Sequence, residues 1–481
     1  MKRGKKIGIL SGMLCCISLA AFGVSRYEQR KEQIKNSDEI ILEVAGDEVK
    51  TLSWECSTGS FAFHRDENGA WLYDTDEAFP VNEEKIGELL EQFREFGVSF
   101  IIEEVEDWEQ YGLDEPVCTI RLETDGESYE ILLGGYSSMD SERYVSIGDG
   151  SAYLVKNDPL ESFEIEISDL IRHDEIPKLK NVTQLQFSGE TSERIFYEED
   201  STSSYYAGDV YFMEQGDHSR PLDTGRVNDY LNTIKNLNLK DYVNYDAAKE
   251  DLAQYGLDAP VLSLSLDYVT VEEGTEEEKE ETFILNIGRD PAEQGKRGTE
   301  EAEGEKTEEA ETGAEAAAEA VTAFARIGES KIIYRITSEQ YSKLMDMTYD
   351  SLRHQEIFWA DFSDIYQLDI KLEGETYTIT AETEEEKRTW YYQGEELDMA
   401  GLRSALRGLK ANTFTDETPT QKEEIALTVY LEDENYPEVR IQLYRYDGKD
   451  CIAVVDGEPI ALVERSYVVD LIEAVNSIVL N

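Results

Sequence analysis

This chain is poor in the residues from which most active sites are assembled. It has four histidines, five cysteines and ten prolines in 481 residues. No GxSxG, P-loop, HExxH or EF-hand pattern occurs. His64 and His218 have neither HxxxH spacing nor a repeated acidic neighbour, so no zinc site is indicated. Gly134-Gly135 and the pair Gly148 and Gly150 read as turn glycines, not as a phosphate cradle. Cys15 and Cys16 fall in an N-terminal apolar run, leaving Cys56, Cys118 and Cys451. That odd number without CxxC spacing is neither a disulfide framework nor a zinc site, and each is expected to be a free, buried thiol. No catalytic, cofactor-binding or metal-ligating residue is assigned.

Positive charge is scarce as well. Against 105 acidic residues stand 45 basic ones, a formal charge of −60. Nucleic acid and anionic lipid head groups would repel such a polyanion. Such a charge favours solubility, or cationic partners and divalent ions; the leading reading is a solvated acidic surface, and nothing in the sequence supports a divalent-cation site. Carboxylates are so numerous that no pair stands out for acid–base chemistry or glycoside hydrolysis.

Long apolar runs are limited to one. Lys2, Arg3, Lys5 and Lys6 precede an apolar stretch at residues 7–24. Its length is near the lower limit for a membrane-crossing helix, and the basic cluster predicts that residues 1–6 stay cytoplasmic. The rival reading is a signal peptide cut after Ala20, with Ser18 and Ala20 as the small residues. An anchor fits better because the apolar run continues past that point. Leu14 ahead of Cys15, and Cys15 ahead of Cys16, do not suit a lipoprotein. Both readings place the bulk of the chain outside the cytoplasm, with residues 25–38 as a polar stalk.

What is abundant is repetition. Three segments carry one helix pattern: Asn82 before Ile86, Leu89, Leu90, Phe93 and Phe96; Asp223 before Val227, Tyr230, Leu231, Ile234 and Leu237; Asp398 before Leu402, Ala405, Leu406 and Leu409. The apolar positions trace one helical face. Asn82, Asp223 and Asp398 are read as N-caps, and Val81, Leu222 and Leu397 supply a hydrophobic staple to each. An aromatic strand precedes each helix, at Trp71, at Tyr211-Phe212 and at Trp390. After the first two helices come Tyr111-Gly112-Leu113-Asp114-Glu115-Pro116 and Tyr255-Gly256-Leu257-Asp258-Ala259-Pro260. Gly then Pro there predicts the end of a helical turn and entry into a strand.

Paired strands and a closing hairpin follow in every unit, although the third lacks the YGL signature. Arg172-His173-Asp174-Glu175-Ile176 and Arg353-His354-Gln355-Glu356-Ile357 close the first two units. Their equivalence marks His173 and His354 as structural joint residues. Between these markers the second unit is longer, through Glu-rich segments at about 271–281 and 291–321 that read as an expanded, disordered loop. Most of the 28 tyrosines fall in strand or helix-face positions. Tyr205 and Tyr206, in a loop-like stretch, are the candidate exposed aromatic contacts.

Gly69-Ala70-Trp71, the two YGL-containing segments and Leu352-Arg353 together resemble the uncharacterised bacterial family DUF4340. The likeness extends over most of residues 39–481. The resemblance implies no catalytic residues. It does imply an accessory role beside ABC-2-type transporter components or gliding-motility-like proteins, and hence a protein partner in a membrane complex.

The expected fold is α+β: a single transmembrane helix, then three tandem β-rich units at 39–176, 177–357 and 358–481. Each unit has one main amphipathic helix packed on an antiparallel sheet. The expected function is a non-enzymatic, membrane-anchored extracytoplasmic scaffold or accessory subunit. The alternatives are a glycan- or polymer-binding module of the cell envelope, and a hydrolase with a dispersed carboxylate site.

Overall fold

The computed structural model describes residues 39–103, 105–189, 192–216, 218–271, 277–293, 321–384 and 387–480. The expected anchor at 7–24 and stalk at 25–38 lie outside these residues. Among the described residues no helix is long and apolar enough to cross a membrane.

Among the described residues there are three antiparallel sheets of nine strands each. Eight of the nine strands recur with the same connectivity. Numbered along the chain within each sheet, their order across it is 3-2-1-5-6-7-8-4. The first strands are Val49–Cys56, Val182–Gly189 and Ile365–Leu372. The fifth strands, which pair with them, are Cys118–Thr124, Leu262–Val271 and Glu423–Leu431. The fourth, after the helix, returns to the far edge beside the eighth: Phe96–Ile102, Tyr242–Asn244 and Thr413–Phe414. The ninth strand is an edge addition, Glu39–Leu42 in the first sheet, His218–Pro221 in the second and Glu395–Leu397 in the third. The chain divides into two compact units, Met1–Asp174 and Glu175–Asn481, so the second and third sheets share one of them.

Alternation fixes which sheet face is buried. In Glu423–Leu431 every second residue (Ile425, Leu427, Val429 and Leu431) is buried, as a half-buried antiparallel strand requires. These meet Leu402 and Leu406 of the helix Ala400–Gly408 and Leu471 and Val475 of Arg465–Val479. Full burial of each such side chain stabilises by about 1.5–3 kcal/mol. The third sheet therefore rests on two helices. The terminal one is 15 residues long.

The repeated helices begin where the caps predict in two cases. Lys85 N–H donates to the Asn82 side chain, and Gly225 and Arg226 N–H donate to that of Asp223. In the third, Met399 takes the cap position, and Asp398 instead accepts from Ala400 N–H in a turn just ahead of it. All three helices are shorter than their apolar pattern: Phe96 opens a strand, while Leu237 and Leu409 lie past helix ends at Lys235 and Gly408. Burial of apolar residues continued in phase across the turn, which is why the pattern overran.

Gly134 and Gly135 lie within the strand Ser128–Ser137 and are not turn residues. Gly112 and Gly256 adopt left-handed φ of 64° and 66°, ending 3-10 turns. A Cβ on Gly134 would strike the Tyr111 carbonyl oxygen, and one on Gly288 the Tyr255 carbonyl oxygen, well inside van der Waals contact. The YGL turn thus lies directly on a bare stretch of its own sheet, which explains why it recurs.

Part of the expected acidic loop is ordered sheet. Glu278–Arg289 pairs with Leu262–Val271, and Tyr268 donates to Glu281 at 3.1 Å. Tyr268 and Lys279 give Glu281 partners that an isolated acidic run would lack. Residues 272–276 and 294–320 lie outside the described residues. Cys56 and Cys118 are not free: they form a disulfide between adjacent strands, with Cα atoms 4.3 Å apart. Pairing across 62 residues brought them together, which an odd cysteine count concealed. Cys451 is a buried free thiol, and burial pushes it up to about 11.

Two outcomes follow from these contacts. Peptide mapping without reductant is expected to recover the Cys56–Cys118 linkage, and Cys56→Ala/Cys118→Ala to lose about 2–4 kcal/mol in chemical denaturation. Gly288→Ala is expected to destabilise by about 1–3 kcal/mol through overpacking against backbone that cannot rotate away; Gly69→Ala, whose added Cβ meets nothing within 4 Å, strains only its turn and separates the two effects.

Candidate functional site

The joint Ser351–Ile357 is bound on both sides, residue by residue. Towards the second sheet, Leu352 O accepts from Asp223 N–H at 2.9 Å and Ser351 O from the Arg226 guanidinium at 3.2 Å. Towards the third, Ile357 N–H donates to Leu409 O at 3.0 Å and Ala411 N–H to Gln355 O at 2.7 Å. The Arg353 guanidinium lies between two rings, 4.8 Å from that of Tyr349 and 4.2 Å from that of Phe414. Cation–π contact to the short helix Tyr349–Leu352 on one side and to the strand Thr413–Phe414 on the other gives this marker residue its role.

At the centre of the joint is Asp209, 3% exposed. One carboxylate oxygen bonds His354 Nε2 at 2.7 Å. The other accepts from Ser204 Oγ at 2.6 Å and Trp359 Nε1 at 3.0 Å. The His354 ring stacks on Trp359 at 4.4 Å and 10°. A buried carboxylate costs several kcal/mol in desolvation unless its lone pairs are filled, and here three donors fill them. The constellation contains Ser, His and Asp, but not in the order of a nucleophilic triad. Ser204 and His354 both bond to Asp209, so the imidazole is not bonded to the serine hydroxyl as a triad requires.

Tyr205 is not an exposed contact residue. Its ring lies 5.7 Å from Phe358, 4.9 Å from Trp359 and 5.8 Å from Tyr436, packed against the third core. Burial pushes its phenol well above the ordinary value. The Trp359 backbone opposes that shift without completing a hydrogen bond of ordinary geometry. Tyr206 is half-buried and lines a recess of ≈ 340 Å³ with Glu356, Trp359, Arg407 and Lys410. The polar stretch Ser201–Ser204 resembles a solvent loop, yet it carries Tyr205 to the third core, while Tyr206 remains partly exposed at the recess.

His354 Nδ1 faces Asp223 Oδ2 at 3.9 Å. Asp223, His354 and Glu356 each present a ligand-type atom within 4.8 Å of the others, and they are the residues here that could hold a metal ion. Lys410 pairs with Glu356 at 2.8 Å. Burial raises the Glu356 carboxyl, but Lys410 and His354 outweigh it and hold it below its ordinary value.

A second concavity, ≈ 950 Å³, lies on the open face of the second sheet. A hydrogen-bonded chain crosses it: Thr282 to Asp267, Gln184 to Asp267, Arg194 to Gln184, and Arg194 to Glu214. Tyr197, 41% exposed, stands at its rim with Phe196.

Of the residues singled out in the sequence, Asp223, Arg353 and His354 meet at the joint. Trp71, Asn82, Tyr111, Gly112, Pro116 and Arg172 belong to the first sheet's unit, and Tyr255, Gly256, Pro260, Trp390 and Asp398 lie in their own sheets' packing and turns. Asp209 went unnoticed in the sequence because two of its partners, His354 and Trp359, lie 145 and 150 residues away.

The model of a domain of unknown function, DUF4340, matches the chain twice, over residues 71–260 and 215–428. Together these span residues 71–428, or 428 − 71 + 1 = 358 of 481. The chain belongs to the DUF4340 family. The two matches begin 215 − 71 = 144 residues apart, the same spacing as the YGL segments, 254 − 110 = 144. No curated protein and no solved structure gives a significant match.

Asp209→Ala would leave the His354, Trp359 and Ser204 donors buried without their acceptor. It is expected to cost about 3–5 kcal/mol in chemical denaturation, and Ser204→Ala about 1 kcal/mol. Equal, small losses for the two would deny Asp209 its central place.

Proposed function

We propose that this protein is a membrane-anchored extracytoplasmic scaffold, an accessory subunit that docks a multi-subunit membrane complex without catalysing a reaction itself. The carrying observation is that the repeated residues act on the fold. Asn82 and Asp223 cap helices, Gly112 and Gly256 seat turns on bare strand, and Arg353 and His354 tie a joint. One sheet architecture is used three times, and each copy offers a partner a sheet face of its own.

The basic cluster Lys2 to Lys6 before the apolar run supports an anchor with its N-terminus in the cytoplasm. The Cys56–Cys118 disulfide supports an oxidising compartment for the rest. An ABC-2-type transporter is the class of complex that the family resemblance implies.

The concavity on the second sheet supports a second reading, an extended polar polymer such as an envelope glycan. Phe196 offers a ring beside a row of donors and acceptors. Glycan arrays probed with the solubilised chain address it, with no binding above background counting against it.

Affinity purification of the full chain from gently solubilised membranes tests the scaffold reading. Integral membrane subunits are expected to co-purify in fixed proportion. Repeated recovery of the protein alone would sink it.

A further inference from the structure

We propose that Asp223, His354 and Glu356 form a binding site for one divalent first-row transition-metal ion at the joint between the second and third sheets. The inference stands apart from the scaffold reading and concerns a site that the repeat pattern did not reveal.

Histidine geometry carries the argument. His354 is 9% exposed and its ring is fixed from behind. Asp209 requires a donor at Nε2, 2.7 Å away, and Trp359 holds the ring plane by stacking. In the neutral ring the proton therefore sits on Nε2 and the lone pair on Nδ1. Among the described residues that nitrogen has no hydrogen-bond partner; the ion-pairing oxygen facing it is Asp223 Oδ2 at 3.9 Å. A carboxylate behind a histidine, with the other ring nitrogen turned to further carboxylates, is the arrangement that orients imidazole for a metal.

The donor set suits the ion class. One imidazole with two carboxylates fits Zn²⁺ or Mn²⁺ better than Ca²⁺, which takes oxygen alone. Ligand atoms about 2.1 Å from one ion lie roughly 3–4 Å apart. The three groups already lie within 4.8 Å of one another, so closure falls to the half-buried Glu356 side chain. Asp223 can serve both roles, since Oδ1 caps the helix while Oδ2 faces His354. Two cations compete: Arg226 lies 3.7 Å from Asp223 Oδ2, and Lys410 pairs with Glu356. Lys410 is 53% exposed and can swing into water when an ion arrives. Bound there, the ion would link the helix cap of the second sheet to the segment entering the third.

Titration of chelator-stripped full-length protein with Zn²⁺ against a chromophoric chelator tests this. One tight equivalent per chain is expected, above the weak binding of a polyanion. Asp223→Asn, which keeps a capping side chain, and Glu356→Gln are each expected to weaken that equivalent at least about tenfold. Asp209→Asn should do so about 10–100-fold, as loss of an outer partner does, while Glu67→Gln on the exposed turn leaves it unchanged. Circular dichroism checks that each variant is folded, and Co²⁺ in place of Zn²⁺ is expected to show a ligand-field absorption band that Glu356→Gln alters. Absence of a tight equivalent, or affinity unchanged from that of the native protein in folded Asp223→Asn and Glu356→Gln, would overturn the proposal.

Discussion

The Asp209 carboxylate is the constraint on which the second compact unit depends. A charge 3% exposed must be satisfied where it sits, and its three donors come from separate parts of the chain. Ser204 is local, His354 belongs to the joint, and Trp359 begins the third sheet's core region. Satisfying one carboxylate therefore sets three segments at once. The remaining contacts follow from that placement. With His354 fixed, Arg353 falls between the rings of Tyr349 and Phe414, and Gln355 and Ile357 align with Ala411 and Leu409.

Each sheet is otherwise self-sufficient. Its order, 3-2-1-5-6-7-8-4, sends the strand after the helix to the far edge, so the helix must cross the buried face on its way. That crossing explains why the capped helix recurs. The open faces are covered by hydrogen-bonded polar rows, as from Thr282 to Glu214 in the second sheet and around Asp369 in the third. Such rows help keep a sheet face soluble while leaving its groups addressable by a partner.

Local features were legible in the sequence because their physics is local. Asn82 and Asp223 cap helices through hydrogen bonds to amides two or three residues away, and Gly112 and Gly256 end turns of their own segments. Hairpins and the helix face were readable for the same reason. What was hidden depends on distance. Cys56 meets Cys118 only after two strands pair, and Asp209 meets His354 across 145 residues. Gly134 looked like a turn because a glycine pair has the same letters whether it bends a chain or makes room for one. The histidine of the joint was identified as structural, but its partners were not, and so neither was its second nitrogen.

A repeated fold whose recurring residues cap, seat and tie is compatible with the framework role proposed above, while the family it belongs to is one of unknown function. The account stands on the joint holding the second and third sheets as one body. Native-state hydrogen exchange at the amides of Asp223, Ile357 and Ala411 measures this directly. The account predicts protection close to that of the strand amides in Val182–Gly189 and Glu423–Leu431. Exchange at those three amides as fast as in exposed loops would contradict it.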